Sequence, residues 1–112
     1  MSPITTHVLD TALGKPASGL MVRLERQESP SIWRELSLRS TDDSGRIGDL
    51  LDVPLERATY RLIFETGAYF ARLGQPQFYP LVEVQFRIEA PSEHYHVPLL
   101  LSPFGYSTYR GS

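Results

Sequence analysis

The chain has 112 residues, of which 41% are hydrophobic, with a formal net charge of −2 and no cysteine. That length suits one domain, residues 1–112, burying roughly two-thirds of its unfolded surface. The charge excludes a nucleic-acid or anionic-membrane footprint, the missing cysteine excludes disulfide and thiolate chemistry, and no run approaches the ~20 apolar residues of a membrane span.

Met1-Ser2-Pro3-Ile4 has neither the basic nor the apolar region of a secretory signal, so the cytoplasm is the expected compartment. Ile4 to Asp10 reads as a first strand, with Ile4, Thr6 and Val8 on one side and Thr5, His7 and Leu9 on the other. Gly14, Pro16, Ser18 and Gly19 mark a loop, and Leu20 to Gln27 alternates again. A turn at Glu28-Ser29-Pro30-Ser31 leads to a strand over Ile32 to Arg39, where Ile32, Arg34, Leu36 and Leu38 are expected to share a face. The turn Thr41-Asp42-Asp43-Ser44-Gly45 delivers Arg46, and Ile47 to Leu51 reads as a short edge strand.

Thr59 to Glu65 is a strong strand pattern. Thr66 then has the chemistry of a helix N-cap and Gly74 that of a helix stop, framing a two-turn helix over Gly67 to Leu73. Leu81 to Glu89 alternates most clearly of all. The chain closes on a hairpin: His94 to Leu101, a turn at Ser102-Pro103-Phe104-Gly105 in which Gly105 is expected to take a positive φ, and a return strand from Tyr106 to Arg110. About eight short strands with one helix and no internal repeat predict an all-β sandwich.

The three histidines lie at opposite ends of the sequence, His7 on the first predicted strand and His94 and His96 on the hairpin, and pairing of the terminal strands would bring them together. An unperturbed imidazole titrates near ~6.5 and is a ready proton carrier. His94-x-His96 with His7 also sketches a three-histidine metal site. That spacing is nonspecific, no carboxylate joins it, and a neighbouring arginine would repel a dication, so no metal is expected. No Gly-x-Ser-x-Gly elbow or phosphate-binding loop is present.

Ile4 to Ala17, with its Thr5-Thr6-His7-Val8-Leu9-Asp10 core, and the terminal Tyr109-Arg110-Gly111-Ser112 resemble the 5-hydroxyisourate hydrolases, the transthyretin-like enzymes of urate breakdown. The hormone carrier transthyretin lacks the terminal tetrapeptide. The resemblance implies a sandwich of two four-stranded sheets with one short helix after the fifth strand. It implies that water opens the 5-hydroxyisourate ring at a lactam carbonyl, giving 2-oxo-4-hydroxy-4-carboxy-5-ureidoimidazoline without a cofactor. It supplies catalytic roles for His7, for His96 within Tyr95-His96-Val97-Pro98, for Arg46 and for Ser112, and substrate-binding roles for Tyr109, Arg110 and Gly111. Either histidine can be the base, with Ser112 and the other histidine relaying a proton; Arg46 orients the substrate and stabilises charge. In the family an Asp-Gly-Arg stretch delivers this arginine, and Asp43-Ser44-Gly45-Arg46 has the acidic residue one place further off. His94, outside the motif, reads as a surface strand residue. The expected assembly is a homotetramer, a dimer of dimers with active sites between the dimers. The alternative is a non-catalytic transthyretin-like carrier of small ligands.

Overall fold

Two sheets face one another in a computed structural model of the chain, which describes residues 2–112. Strand β1 (Ile4–Asp10) leads to a short β2 (Lys15–Pro16), then β3 (Met21–Ser29), β4 (Ile32–Ser40) and a short β5 (Arg46–Ile47). After β6 (Ala58–Phe64) and the helix α1 (Thr66–Arg72) come β7 (Val82–Ile88), β8 (Tyr95–Ser102) and β9 (Gly105–Thr108). One sheet has the order β4-β3-β6-β7, and the other β2-β1-β8-β9 with β5 also on β1. The second sheet therefore has five strands where four were expected. Two short segments divide one edge of β1 between them: β5 pairs with Thr6 and His7, and β2 with Leu9 and Asp10.

Alternation places the core. Ile4, Thr6, Val8 and Asp10 of β1 are buried, as are Tyr95, Val97, Leu99 and Leu101 of β8; they meet Val22, Leu24, Tyr60, Leu62 and Phe64 from the opposite sheet. Thr5, His7 and Leu9 point the other way, as the sequence pattern predicts, so the outer face of the five-stranded sheet is available for chemistry. Among the described residues no helix is long and apolar enough to cross a membrane.

Four local expectations are corrected. On β4 the pairing skips a residue, Leu24 lying opposite Ser37 but Glu25 opposite Glu35, so Leu36 is a bulge. The predicted face then splits: Leu36 packs on the core and Ser37 is buried, while Ile32 and Leu38 are exposed. Ile47 to Leu51 is strand only at Ile47; Leu50 and Leu51 are buried as loop, the latter through its N–H on Ser2 Oγ. Thr66 is the first residue of α1 rather than its cap, because its hydroxyl donates to Tyr79 O. Gly105 has no positive φ: Pro103-Phe104 closes the hairpin, with Ser102 paired to Gly105.

The helix is tied to β1 through one buried polar pair. Asp10, 1% exposed, accepts the N–H groups of Ala12 and Leu13 on one carboxylate oxygen and the Tyr69 hydroxyl on the other at 2.8 Å. Burial, followed by the bond to Asp10 and its charge, pushes the Tyr69 phenol up to about 12. Tyr69→Phe leaves a buried carboxylate oxygen without its donor, and urea unfolding should show a loss of about 1–3 kcal/mol with the fold retained. Because the folded-state pKa is raised, stability in the wild type should decline as pH climbs from about 10 towards about 12; the variant should lack that component.

Candidate active site

Parallel pairing of β1 with β8 builds the site. Thr5 lies opposite His96 and His7 opposite Pro98, so Thr5, His7 and His96 share the outer face. On the other edge of β1, β5 sets Arg46 opposite His7. Three of the predicted residues thus come from three strands and meet on one surface. Thr5, Arg46, His94, His96 and Ser112 line a cleft of about 270 Å³ there, with His7 next to Arg46 in the sheet.

A capped turn aims Arg46. Asp42, not Asp43, supplies its carboxylate: Oδ1 accepts the N–H groups of Ser44 at 2.8 Å and Arg46 at 3.0 Å. The bond from the Arg46 N–H, then that from Ser44 and the charges of Arg46 and His7, hold the Asp42 carboxyl below its usual range. Asp43 instead accepts the Ser18 hydroxyl. Gly45 has φ +75°, and a Cβ there would sit 2.4 Å from Val8 O. This close approach lets Gly45 O accept the Val8 N–H at 2.8 Å and fastens the turn to β1.

Among the described residues the Arg46 guanidinium is the one left free. Nine of the ten arginines have a carboxylate or backbone carbonyl partner, Arg72 through the carbonyls of Ser18 and Gly19 and the others through ion pairs. Among the described residues Arg46 has neither, although it is largely exposed to the cleft. A cation with its fork unoccupied is suited to a planar acceptor or a developing negative charge.

His96 is held from two sides. Its Nδ1 is 2.8 Å from Thr5 Oγ1, and its backbone carbonyl accepts the Gly111 N–H at 2.8 Å. A Cβ on Gly111 would fall 2.6 Å from His96 Cδ2, so glycine is needed for the chain end to lie against the imidazole. Burial, then the charges of His94, Arg46 and His7, push the His96 pKa below that of a free imidazole, opposed in part by hydrogen bonding to Thr5. The ring is therefore neutral at neutral pH and able to take a proton. Among the described residues no three His, Cys, Asp or Glu side chains converge on a metal-sized position.

The chain end divides between two places. Ser112 lines the cleft and Gly111 lies against His96, whereas Tyr109 and Arg110 line a separate groove of about 270 Å³ with Phe86 and Tyr95. Arg110 donates to Glu93 Oε1 at 2.9 Å and to His94 O at 3.2 Å, and stacks 4.3 Å over the Tyr95 ring. It secures the segment that carries His94 without facing the cleft. Thr5 was not singled out in the sequence, and His94 was weighed as a metal ligand and read as a surface strand residue. The signal for them was the shared face of His94 and His96, together with a threonine two residues before His7 on a strand that pairs with theirs.

A sequence model of the HIUase/transthyretin family matches residues 4–111. The 5-hydroxyisourate hydrolase of Mus musculus is 51% identical over 99% of this chain and 96% of its own length. Among solved structures, the 5-hydroxyisourate hydrolase of Klebsiella pneumoniae is 38% identical with a TM-score of 0.87, covering 97% of this chain and 98% of that one. Sea bream transthyretin in complex with thyroxine is 30% identical with a TM-score of 0.92, covering 98% of this chain and 95% of that one. Backbone similarity alone therefore does not separate an enzyme from a carrier.

Two glycine substitutions test the construction of the site. Gly45→Ala places an L-residue at a left-handed φ against Val8 O, and chemical unfolding should show a loss of about 1–2 kcal/mol or more. Gly111→Ala acts at the chain end outside the core, so it should leave the urea midpoint in place while shifting the His96 imidazole resonances.

Proposed function

The chain belongs to the HIUase/transthyretin family, and we propose from that premise that the cleft of His96, Arg46 and Ser112, flanked by His7, is where it hydrolyses 5-hydroxyisourate. Water adds to a ring lactam carbonyl, the C–N bond breaks, and the product is 2-oxo-4-hydroxy-4-carboxy-5-ureidoimidazoline. The observation that carries the assignment of the site is the Arg46 guanidinium, unpaired among the described residues, lining one cleft with the half-buried His96 imidazole. Arg46 grips the planar amide edge and stabilises the oxyanion of the tetrahedral intermediate. His96 takes the proton from water. His7, beside Arg46, and the Ser112 hydroxyl hand a proton to the departing nitrogen. Gly111 serves binding by seating His96, and Arg110 by holding the segment before it. Tyr109, 58% exposed, is left for contact across a subunit boundary.

We further propose a homotetramer, a dimer of dimers with the sites between the dimers. Phe78, Phe104, Tyr106 and Tyr109 are all exposed, and Phe78 packs against Phe104 while Tyr79 packs against Tyr106, an aromatic surface of the kind that interfaces cover. The proposed compartment is the cytoplasm, the expectation drawn from the sequence.

Adding protein to freshly generated 5-hydroxyisourate should accelerate the loss of its ultraviolet absorbance far beyond the buffer rate, and EDTA should leave that rate unchanged. His96→Asn, His7→Asn and Arg46→Lys should each fold and lose on the order of 10²- to 10⁴-fold in kcat/KM. Because burial and neighbouring cations lower the His96 pKa, its base form persists below the usual imidazole range. The acid limb of kcat/KM should accordingly fall below ~6.5, and Arg46→Gln should move it up by removing one cation. Decay equal to the buffer blank would sink the hydrolase and favour the carrier.

Sedimentation velocity at micromolar concentration should give a tetramer. A fully active monomer would overturn the proposed assembly.

A further inference from the structure

Thr5 Oγ1 stands between two imidazoles. It is 2.8 Å from His96 Nδ1 and 3.2 Å from His94 Nε2, and the two rings lie 6.5 Å apart at 12° to one another. A hydroxyl donates one hydrogen, so the three groups can be linked head to tail in only two senses. In one, His96 Nδ1–H donates to Thr5 and Thr5 donates to His94 Nε2, which leaves the His96 Nε2 lone pair free. In the other the chain is reversed, and His96 presents Nε2–H instead. Only the first sense makes His96 a base at Nε2.

The two imidazoles differ in where they would carry a positive charge. His96 is half-buried, and its protonated form is disfavoured by burial and by His94, Arg46 and His7. His94 is exposed, so a charge on it is solvated by water. The groups facing His96 are Thr5 and His7 from β1, Arg46 from β5, His94 on the approach to β8, and Gly111 and Ser112 from the chain end, with Asp42 beyond Arg46.

We propose that Thr5 is a positioning residue that couples His96 to His94 in a reversible proton relay, selecting the His96 tautomer that acts as base and moving its charge out to His94. This rests on the hydrolase reading of the same cleft. As water adds to the carbonyl carbon, its proton goes to His96 Nε2; in concert His96 Nδ1–H passes to Thr5 Oγ1 and the Thr5 hydrogen to His94 Nε2. The positive charge then sits on His94, at the surface. When the tetrahedral intermediate collapses and the C–N bond breaks, the relay runs backwards and the Nε2 proton returns through His7 and the Ser112 hydroxyl to the leaving nitrogen. No proton is gained or lost over the cycle by the three residues. Arg110 supports the relay by bonding to His94 O, and Gly111 by fixing the His96 ring.

The test is a comparison of wild type, Thr5→Val, Thr5→Ser and His94→Gln by ¹⁵N NMR of the imidazoles and by steady-state kinetics. Wild-type His96, above the acid limb, should resonate as the Nδ1–H tautomer. Thr5→Val keeps the shape of the side chain but removes the relay; it should shift His96 towards Nε2–H and lower kcat about 10- to 100-fold with KM little changed, the range typical of a lost supporting hydrogen bond. Thr5→Ser should restore both. His94→Gln should lower kcat by removing the acceptor at the end of the relay. A wild-type His96 in the Nε2–H form, or a Thr5→Val protein with wild-type tautomer and kcat, would overturn the relay. The nitrogen measurement needs no substrate: a wild type inert towards 5-hydroxyisourate defeats the assigned reaction, and the tautomer then decides the hydrogen-bonded chain by itself.

Discussion

The parallel pairing of β1 with β8 is the constraint on which the site depends. Seven residue pairs align, from Ile4 with Tyr95 to Asp10 with Leu101. A slip of one residue would turn His7 and His96 into the core and bring the apolar side chains out. The register is secured beyond the ladder at each end and in the middle. Tyr95 N–H bonds to Pro3 O, the Thr6 hydroxyl to Val97 O, and both the N–H and the hydroxyl of Thr11 to Leu101 O. Buried Ile4, Val8, Val97 and Leu99 make any other alignment costly, at roughly 1.5–3 kcal/mol for each large side chain exposed. The hydrophobic core thus decides where an outward-facing imidazole stands, although it touches none of the chemistry.

From this pair the remaining groups are added by segments that could not form the site alone. The Asp42 to Gly45 turn is irregular backbone whose carboxylate cap and positive φ exist to bring Arg46 alongside His7. The last residues make one isolated bridge, Gly111 with His96. Both contributions rely on the absence of a Cβ, and in both the glycine meets β1 or β8 rather than solvent. A loop can carry a precise functional group when a rigid strand supplies its hydrogen-bond partners.

Much of this was legible in the sequence, and what was not has physical causes. The split of β1 into Ile4, Thr6, Val8 against Thr5, His7, Leu9 followed from alternation because that strand is buried on one side only. The same rule failed on β4, where the bulge at Leu36 interrupts the period and alternation cannot report an extra residue. Of the two short strands on the far edge of β1, β5 was read as an edge strand over Ile47 to Leu51 and is Arg46–Ile47, whereas β2 was read as loop because two residues carry no pattern of their own. For the site, the linear motifs led to His7, Arg46, His96 and Ser112; the β1–β8 register places the two histidines on one face, β5 sets Arg46 beside His7, and the chain end brings Ser112 to the cleft. Thr5 and His94 carry no motif; their significance is a contact between residues 89 positions apart, which local sequence does not encode. Arg110 illustrates the reverse case. It belongs to the terminal tetrapeptide, yet its side chain binds Glu93 and His94 O behind the cleft.

The distribution of charge explains why one arginine is available for chemistry. The outer face of the β4-β3-β6-β7 sheet is occupied by compensated pairs: Arg23 with Glu35, and Arg61 with Glu25 through two guanidinium nitrogens at 2.7 and 2.6 Å while stacking 4.1 Å over Trp33. Among the described residues these half-buried pairs leave no cation on that face free to attract an anion. The outer face of the other sheet carries Arg46 among imidazoles, and the nearby carboxylate of Asp42 is committed to backbone N–H groups rather than to the guanidinium. Its own negative charge is thereby retained close enough to moderate the field without closing the fork. Lysine could supply the charge but not the two parallel donors that a planar amide edge requires. The proposed site is electrostatically incomplete as the chain folds, and in that reading a substrate that develops negative charge completes it. That incompleteness, maintained against nine arginines that have found partners, is the feature distinguishing this surface from the rest of the sandwich.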